Sequence, residues 1–273
     1  MVALFIFLIG LSLGSFLNVV IFRLDKPLTF AETNPAGHSN AYPRKVRGKR
    51  GGFLTGRSEC PKCLKRLKWY DLFPVLSYVF LGGRCRNCKE KISLVYPLAE
   101  LITAFCFLLF YTVSKPVFGA EDFYYLLIIV SFVALIFFDY LYFLLPDKII
   151  LPLTVIAILF DYFFRRPEFT VLLLSALIMG GIFAIIHIAS KGVWTGFGDA
   201  KLLFLIGLTL RYPLGFLSMT LSVWMAALTG IGLIILGKAS RKTALPFGSL
   251  LAGVSILIII FQNEIQKITD RIF

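Results

Sequence analysis

Gly196-Phe197-Gly198-Asp199 opens a mainly apolar stretch that continues to Tyr212, and whether that stretch is a membrane helix decides the fold. The surrounding composition answers the question. Of 273 residues, 58% are hydrophobic and 16% charged, against about a quarter charged in a soluble domain. Apolar runs of roughly span length recur along the chain. Spans are expected near residues 2–22, 93–113, 122–143, 148–164, 168–189, 199–212, 214–236 and 249–261. The expected fold is all-α and polytopic, with about eight transmembrane helices. Three parts follow: a first transmembrane helix at 1–22, a basic loop at 23–91, and a membrane domain at 92–273. Residues 2–22 lack a basic n-region and a small-residue cleavage pattern, so they read as a retained span.

The span that begins at Asp199 is short. Its 14 residues reach about 21 Å at 1.5 Å per residue, less than a hydrocarbon core of about 30 Å. Either the bilayer thins there, or Asp199 is recessed in a protein-lined, water-filled cavity. An ionisable group at the edge of a span is costly and therefore a functional candidate. Gly196 and Gly198 let the backbone turn and approach closely before the helix. Asp199 as a simple helix cap is the bland alternative.

A second acid, Asp139, lies within the expected span 122–143 with no basic neighbour in that span. Its bland alternative is a satisfied interhelical hydrogen bond. Asp147 competes for the partner role, but it follows Pro146 and has a ready reading as a cap. Two carboxylates sharing a proton suffice for peptide hydrolysis without a covalent intermediate. Like charges a few ångström apart cannot both stay ionised, so one acid can take a proton from water while the other donates one. The expectation is an intramembrane aspartyl protease with Asp139 and Asp199 as its acids. His38 and His187 are the two histidines, and neither has ligand spacing to another metal-binding residue. No serine or cysteine has an evident base, so triad chemistry lacks support.

The net charge of +13 is concentrated rather than spread. Sixteen of the 28 Lys/Arg residues fall between Arg23 and Lys91. That asymmetry points to topology and anionic lipid rather than to nucleic acid. Across eight spans the basic residues divide 22 to 6, which places the 23–91 loop and both acids toward the cytoplasm and both termini outside. The large loop carries the whole bias.

Cys60-Pro61-Lys62-Cys63 and Cys85-Arg86-Asn87-Cys88 form two C-x2-C pairs on that loop. The pattern fits a closed, structural four-cysteine zinc site; a redox pair or unligated thiols are the alternatives. Flanking Lys62, Lys65, Arg84 and Arg86 favour thiolates.

With these motifs in order, the chain resembles the type IV prepilin peptidases, bifunctional leader peptidases/N-methyltransferases of bacterial pilus and type II secretion systems. The resemblance covers nearly the whole chain. It runs through Gly14-Ser15-Phe16-Leu17-Asn18, Arg57 to Cys63, Pro74 to Tyr78, Gly83 to Cys88, and Tyr96-Pro97-Leu98-Ala99-Glu100. It continues through Asp139 to Asp147, Gly196 to Lys201, and Leu245-Pro246-Phe247-Gly248. It implies removal of a short basic leader from prepilins or pseudopilins at the cytoplasmic face of the bacterial inner membrane. It implies Asp139 and Asp199 as the catalytic acids, and methylation of the new N-terminal amine with S-adenosylmethionine. Gly14, Asn18, Tyr96 and Glu100 are candidates for the methyl-transfer site. The stretch from Asp25 to Gly56 departs from the family pattern as an insertion-like loop.

Two other readings stay open on the sequence. One is a peptidase without methyl transfer. The other is a proton-coupled transporter, which would place acids at several depths. A zinc-loop scaffold without chemistry would leave both acids unexplained.

Overall fold

The computed structural model describes residues 1–24, 57–210, 212–238, 240 and 243–272. The insertion-like stretch 25–56 and His38 therefore lie outside the described residues. The helices are α1 Val2–Arg23, α2 Leu76–Phe80, α3 Val95–Ser114, α4 Ala120–Tyr142, α5 Asp147–Phe164, α6 Phe169–Ala189, α7 Phe197–Thr209, α8 Leu214–Ile235 and α9 Phe247–Ile272. Two 3₁₀ turns, Trp69–Leu72 and Arg166–Glu168, join them. Among the described residues no β-strand forms, only the isolated bridges Glu59 to Arg66 and Arg84 to Lys91.

Every expected span coincides with a helix, but among the described residues six helices are long and apolar enough to cross a membrane. The other two are α5, which carries Asp147, Lys148 and Asp161, and α7. Helix α7 has 13 residues, about 20 Å. Most of it is buried, from Asp199 and Ala200 through Leu202, Leu205 and Leu208 to Thr209. It packs against α5, α6, α8 and α9. A helix apolar all round is buried in protein, and that enclosure accommodates its shortness. Helix α9 runs past the expected end at 261 because its backbone stays helical through a polar tail, where Lys267 pairs with Glu264 at 2.8 Å.

The chain divides into two compact units, Met1–Leu108 and Leu109–Phe273. In the first, α1 lies against α3 along Gly10 and Gly14. A methyl on Gly10 would stand 2.6 Å from Ala104 Cα, and one on Gly14 would stand 2.6 Å from Glu100 Cα. Small residues four apart let helix backbones approach this closely. Phe22 stacks on Tyr96 at 4.4 Å further along the same pair of helices.

In the second unit α7 is the central helix. A methyl on Gly207 would collide with Ala176 Cα at 2.5 Å, so α6 and α7 pack backbone to backbone. The far end of α7 is tied by Arg165, which is 5% exposed. Its guanidinium donates to the Thr209 carbonyl at 3.4 Å and to Tyr125 Oη at 2.7 Å, and it pairs with Asp161 and Glu121. A cation at a helix C-terminus meets carbonyls left without intrahelical donors. This cluster fixes the end of α7 opposite Asp199.

Candidate active site and metal centre

Asp139 sits one turn before the end of α4, where Phe143 adopts a left-handed φ of 51° and its N–H bonds the Asp139 carbonyl at 2.8 Å. The side chain is 6% exposed. Its Oδ2 accepts the backbone N–H of Ser249 at 2.6 Å and lies 3.0 Å from Ser249 Oγ. A buried carboxylate needs such partners. They come from the first turn of α9, whose N–H groups have no intrahelical acceptor.

Asp199 is 9% exposed and occupies the first turn of α7. Its Oδ2 accepts the Gly196 N–H at 3.0 Å, so the acid also caps its own helix, as the simpler reading of the sequence anticipated. The loop leading to it is clasped by His187. Nδ1 of His187 lies 2.7 Å from the Thr195 carbonyl, which makes Nδ1 the protonated nitrogen. His187 and Asp139 both lie within electrostatic reach of Asp199.

Leu145 links the elements that carry the two acids. A methyl on Gly198 would stand 3.0 Å from Leu145 Cβ. One on Gly248 would stand 2.9 Å from Leu145 Cδ1 and 3.2 Å from Asp139 Cγ. Glycine at both positions lets the start of α7, the start of α9 and the α4–α5 loop converge beside the carboxylates. Asp147 does not join them. It is the first residue of α5, with Pro146 in the capping position, and both its oxygens bond Lys201 Nζ at 2.7 and 2.8 Å.

The four cysteines form one cluster, with their Sγ atoms within 4.8 Å of one another. Cys60 Sγ and Cys88 Sγ are 3.8 Å apart. A Zn–S bond of about 2.3 Å in a tetrahedron gives an edge of about 3.8 Å, so the donor set fits that ion. The two halves repeat one fold. Cys60 N–H bonds the Lys65 carbonyl and Cys85 N–H bonds that of Glu90. Leu64 and Lys89, each following the second cysteine of its pair, both have left-handed φ, 57° and 59°. Burial pushes the Cys60 thiol up to about 12, whereas the Cys88 backbone N–H lowers Cys85 to about 7.

The remaining candidates also meet. Asn18 Nδ2 donates to the Tyr96 carbonyl at 3.1 Å and to Glu100 Oε1 at 3.4 Å. Glu100 Oε2 accepts the Val75 N–H at 2.7 Å. Gly14 gives the Glu100 backbone room to approach. Asn18 Oδ1 is buried and has no hydrogen-bond partner among the described residues. An acceptor left open beside a carboxylate suits a cationic group, which both an amine and S-adenosylmethionine carry.

Sequence reading missed Ser249 and the Val75 contact, which no local pattern signals. It also missed the Gly10–Gly14 seam, which the four-residue spacing of small residues does signal.

A family model described as the Bacterial Peptidase A24 N-terminal domain matches residues 8–114, and one described as the Type IV leader peptidase family matches residues 126–261. A prepilin leader peptidase/N-methyltransferase of Aeromonas salmonicida (strain A449) is 31% identical over 270 residues, 96% of this chain and 91% of its own. One from Pseudomonas putida is 32% identical over 263 residues, 94% and 90% of the two chains. One from Bacillus subtilis (strain 168) is 32% identical over 218 residues, 78% and 84% of the two. No solved structure matches the chain.

Proposed function

The chain belongs to the type IV leader peptidase family, and on that premise we propose that it is an aspartyl endopeptidase working within the membrane. Its substrates are type IV prepilins or pseudopilins, cut at the cytoplasmic face of the bacterial inner membrane, with both termini outside. The observation that supports the reading is that Leu145 touches both Gly198, next to buried Asp199, and Gly248, which lies against buried Asp139.

One carboxylate is ionised and takes a proton from the attacking water. The other holds a proton and gives it to the scissile carbonyl oxygen; collapse of the tetrahedral species then expels the leaving amine. The two acids titrate as a pair, so their roles belong to the pair. Cys60, Cys63, Cys85 and Cys88 hold a structural zinc, because four cysteine ligands leave no open position for chemistry. Asn18 and Glu100 hold the cationic group at the methyl-transfer site, with Tyr96 supplying a carbonyl to the cluster. S-adenosylmethionine supplies the methyl group there when bound.

The test is prepilin cleavage by the purified protein in detergent, with Asp139→Asn, Asp199→Asn and Asp147→Asn beside the parent. Loss in the first two alone supports the pair. Full activity in both would sink the aspartyl mechanism. Incubating the cleaved product with S-adenosylmethionine separates the bifunctional enzyme from a peptidase that does not methylate.

A further inference from the structure

We propose that Ser249 is a positioning residue for Asp139: it holds Oδ2 and so assigns Oδ1 as the oxygen that exchanges protons with water and substrate. The inference rests on the reading of Asp139 as one of the two working acids.

Ser249 is the third residue of α9, so its N–H is one of the donors that a helix start leaves without an intrahelical acceptor. That donor is spent on Asp139 Oδ2 at 2.6 Å, a carboxylate 110 residues earlier in the chain. The helix start also favours a negative charge at this point. The hydroxyl adds a second hold on the same oxygen, at 3.0 Å.

The hydroxyl has another acceptor within reach. Ser249 Oγ is also 3.0 Å from the Ile136 carbonyl. A hydroxyl carries one proton and rotates to suit. When Asp139 is ionised, the hydroxyl donates to Oδ2. When Asp139 takes up a proton, the hydroxyl turns to Ile136, and no buried polar group is stranded. A group that must gain and lose a proton in each turnover needs both states satisfied. Alanine or valine at 249 would satisfy neither rotor position. Gly248 makes the contact possible, since a methyl there would stand 3.2 Å from Asp139 Cγ.

The experiment compares Ser249→Val with Ser249→Thr, which are nearly isosteric and differ in the hydroxyl. Asp139→Asn is run alongside, all as purified full-length protein in detergent with a prepilin substrate. A hydrogen bond to a charged group predicts that kcat for Ser249→Val falls on the order of 10-fold to 100-fold. KM stays at the parent value, because the hydroxyl touches the acid and not the substrate. Ser249→Thr recovers kcat. Parent-like kcat in Ser249→Val with Asp139→Asn inactive overturns this inference alone. Ser249→Thr as slow as Ser249→Val also overturns it, because bulk and not the hydroxyl would then be responsible. An active Asp139→Asn overturns the aspartyl reading and this inference with it.

Discussion

Glu100 in the first unit and Asp139 in the second are both buried carboxylates on apolar helices, each bonded to a backbone N–H from a distant segment. They differ in what remains open. Glu100 is bonded on both oxygens, by Asn18 and by the N–H of Val75. Val75 adopts a φ of 57°, a conformation that β-branched residues rarely take. The carboxylate thus pins a strained turn that lies, in sequence, between the two cysteine pairs. Among the described residues the donors to Asp139, the Ser249 N–H and hydroxyl, both reach Oδ2. In the proposed reading Glu100 combines a structural tie with its place at the methyl-transfer site, whereas Asp139 keeps an oxygen for proton transfer. Burial and the carboxylate group are shared, so the pattern of bonded oxygens tells them apart.

That contrast can be broken most directly by activity. Asp139→Asn is expected to lower prepilin cleavage on the order of 10³-fold while the thermal transition in detergent stays put. If Asp139→Asn instead unfolds the protein and keeps its specific activity, the two acids are alike and the contrast fails. The next effect is on metal. Cys60→Ser or Cys85→Ser should lower bound zinc from about one ion per chain to near none, read by metal analysis of the purified protein. Glu100→Leu should do what Asp139→Asn does not. It strands the Asn18 and Val75 donors and costs ~1–3 kcal/mol of stability, measured by thermal unfolding, with cleavage by the folded fraction retained. Gly14→Val drives a side chain into the Glu100 backbone and should cost ~1–3 kcal/mol through overpacking in the same measurement. Lys201→Ala should have the smallest effect. It breaks the pair with half-exposed Asp147, and such pairs contribute ~0–1 kcal/mol, so cleavage and unfolding should both stay near the parent.

Much of the fold was legible because lipid imposes a coarse rule: a spanning helix needs an apolar run of a set length. The runs at 2–22, 122–143 and 168–189 announce α1, α4 and α6 within a few residues. The same rule is silent on the surroundings of α7. Length and hydropathy do not say whether an apolar helix faces lipid or protein, and α7 faces protein. Arg165 was similarly opaque. As a sequence position it is a loop charge; in the fold it is buried and holds the end of α7. The cysteine cluster was readable because its ligands come in two local pairs, each folding into the same turn.

The sequence by itself determined the helical membrane class, the four-cysteine cluster, and the identity of Asp139 and Asp199 as the acids to examine. Those features rest on local composition and spacing. Tertiary structure alone decided that Asp147 is taken by Lys201, that Glu100 holds the Val75 turn, and that Ser249 holds Asp139. The reason is physical. A buried polar group must find a partner, and helix packing chooses which distant backbone or side chain stands within hydrogen-bonding distance.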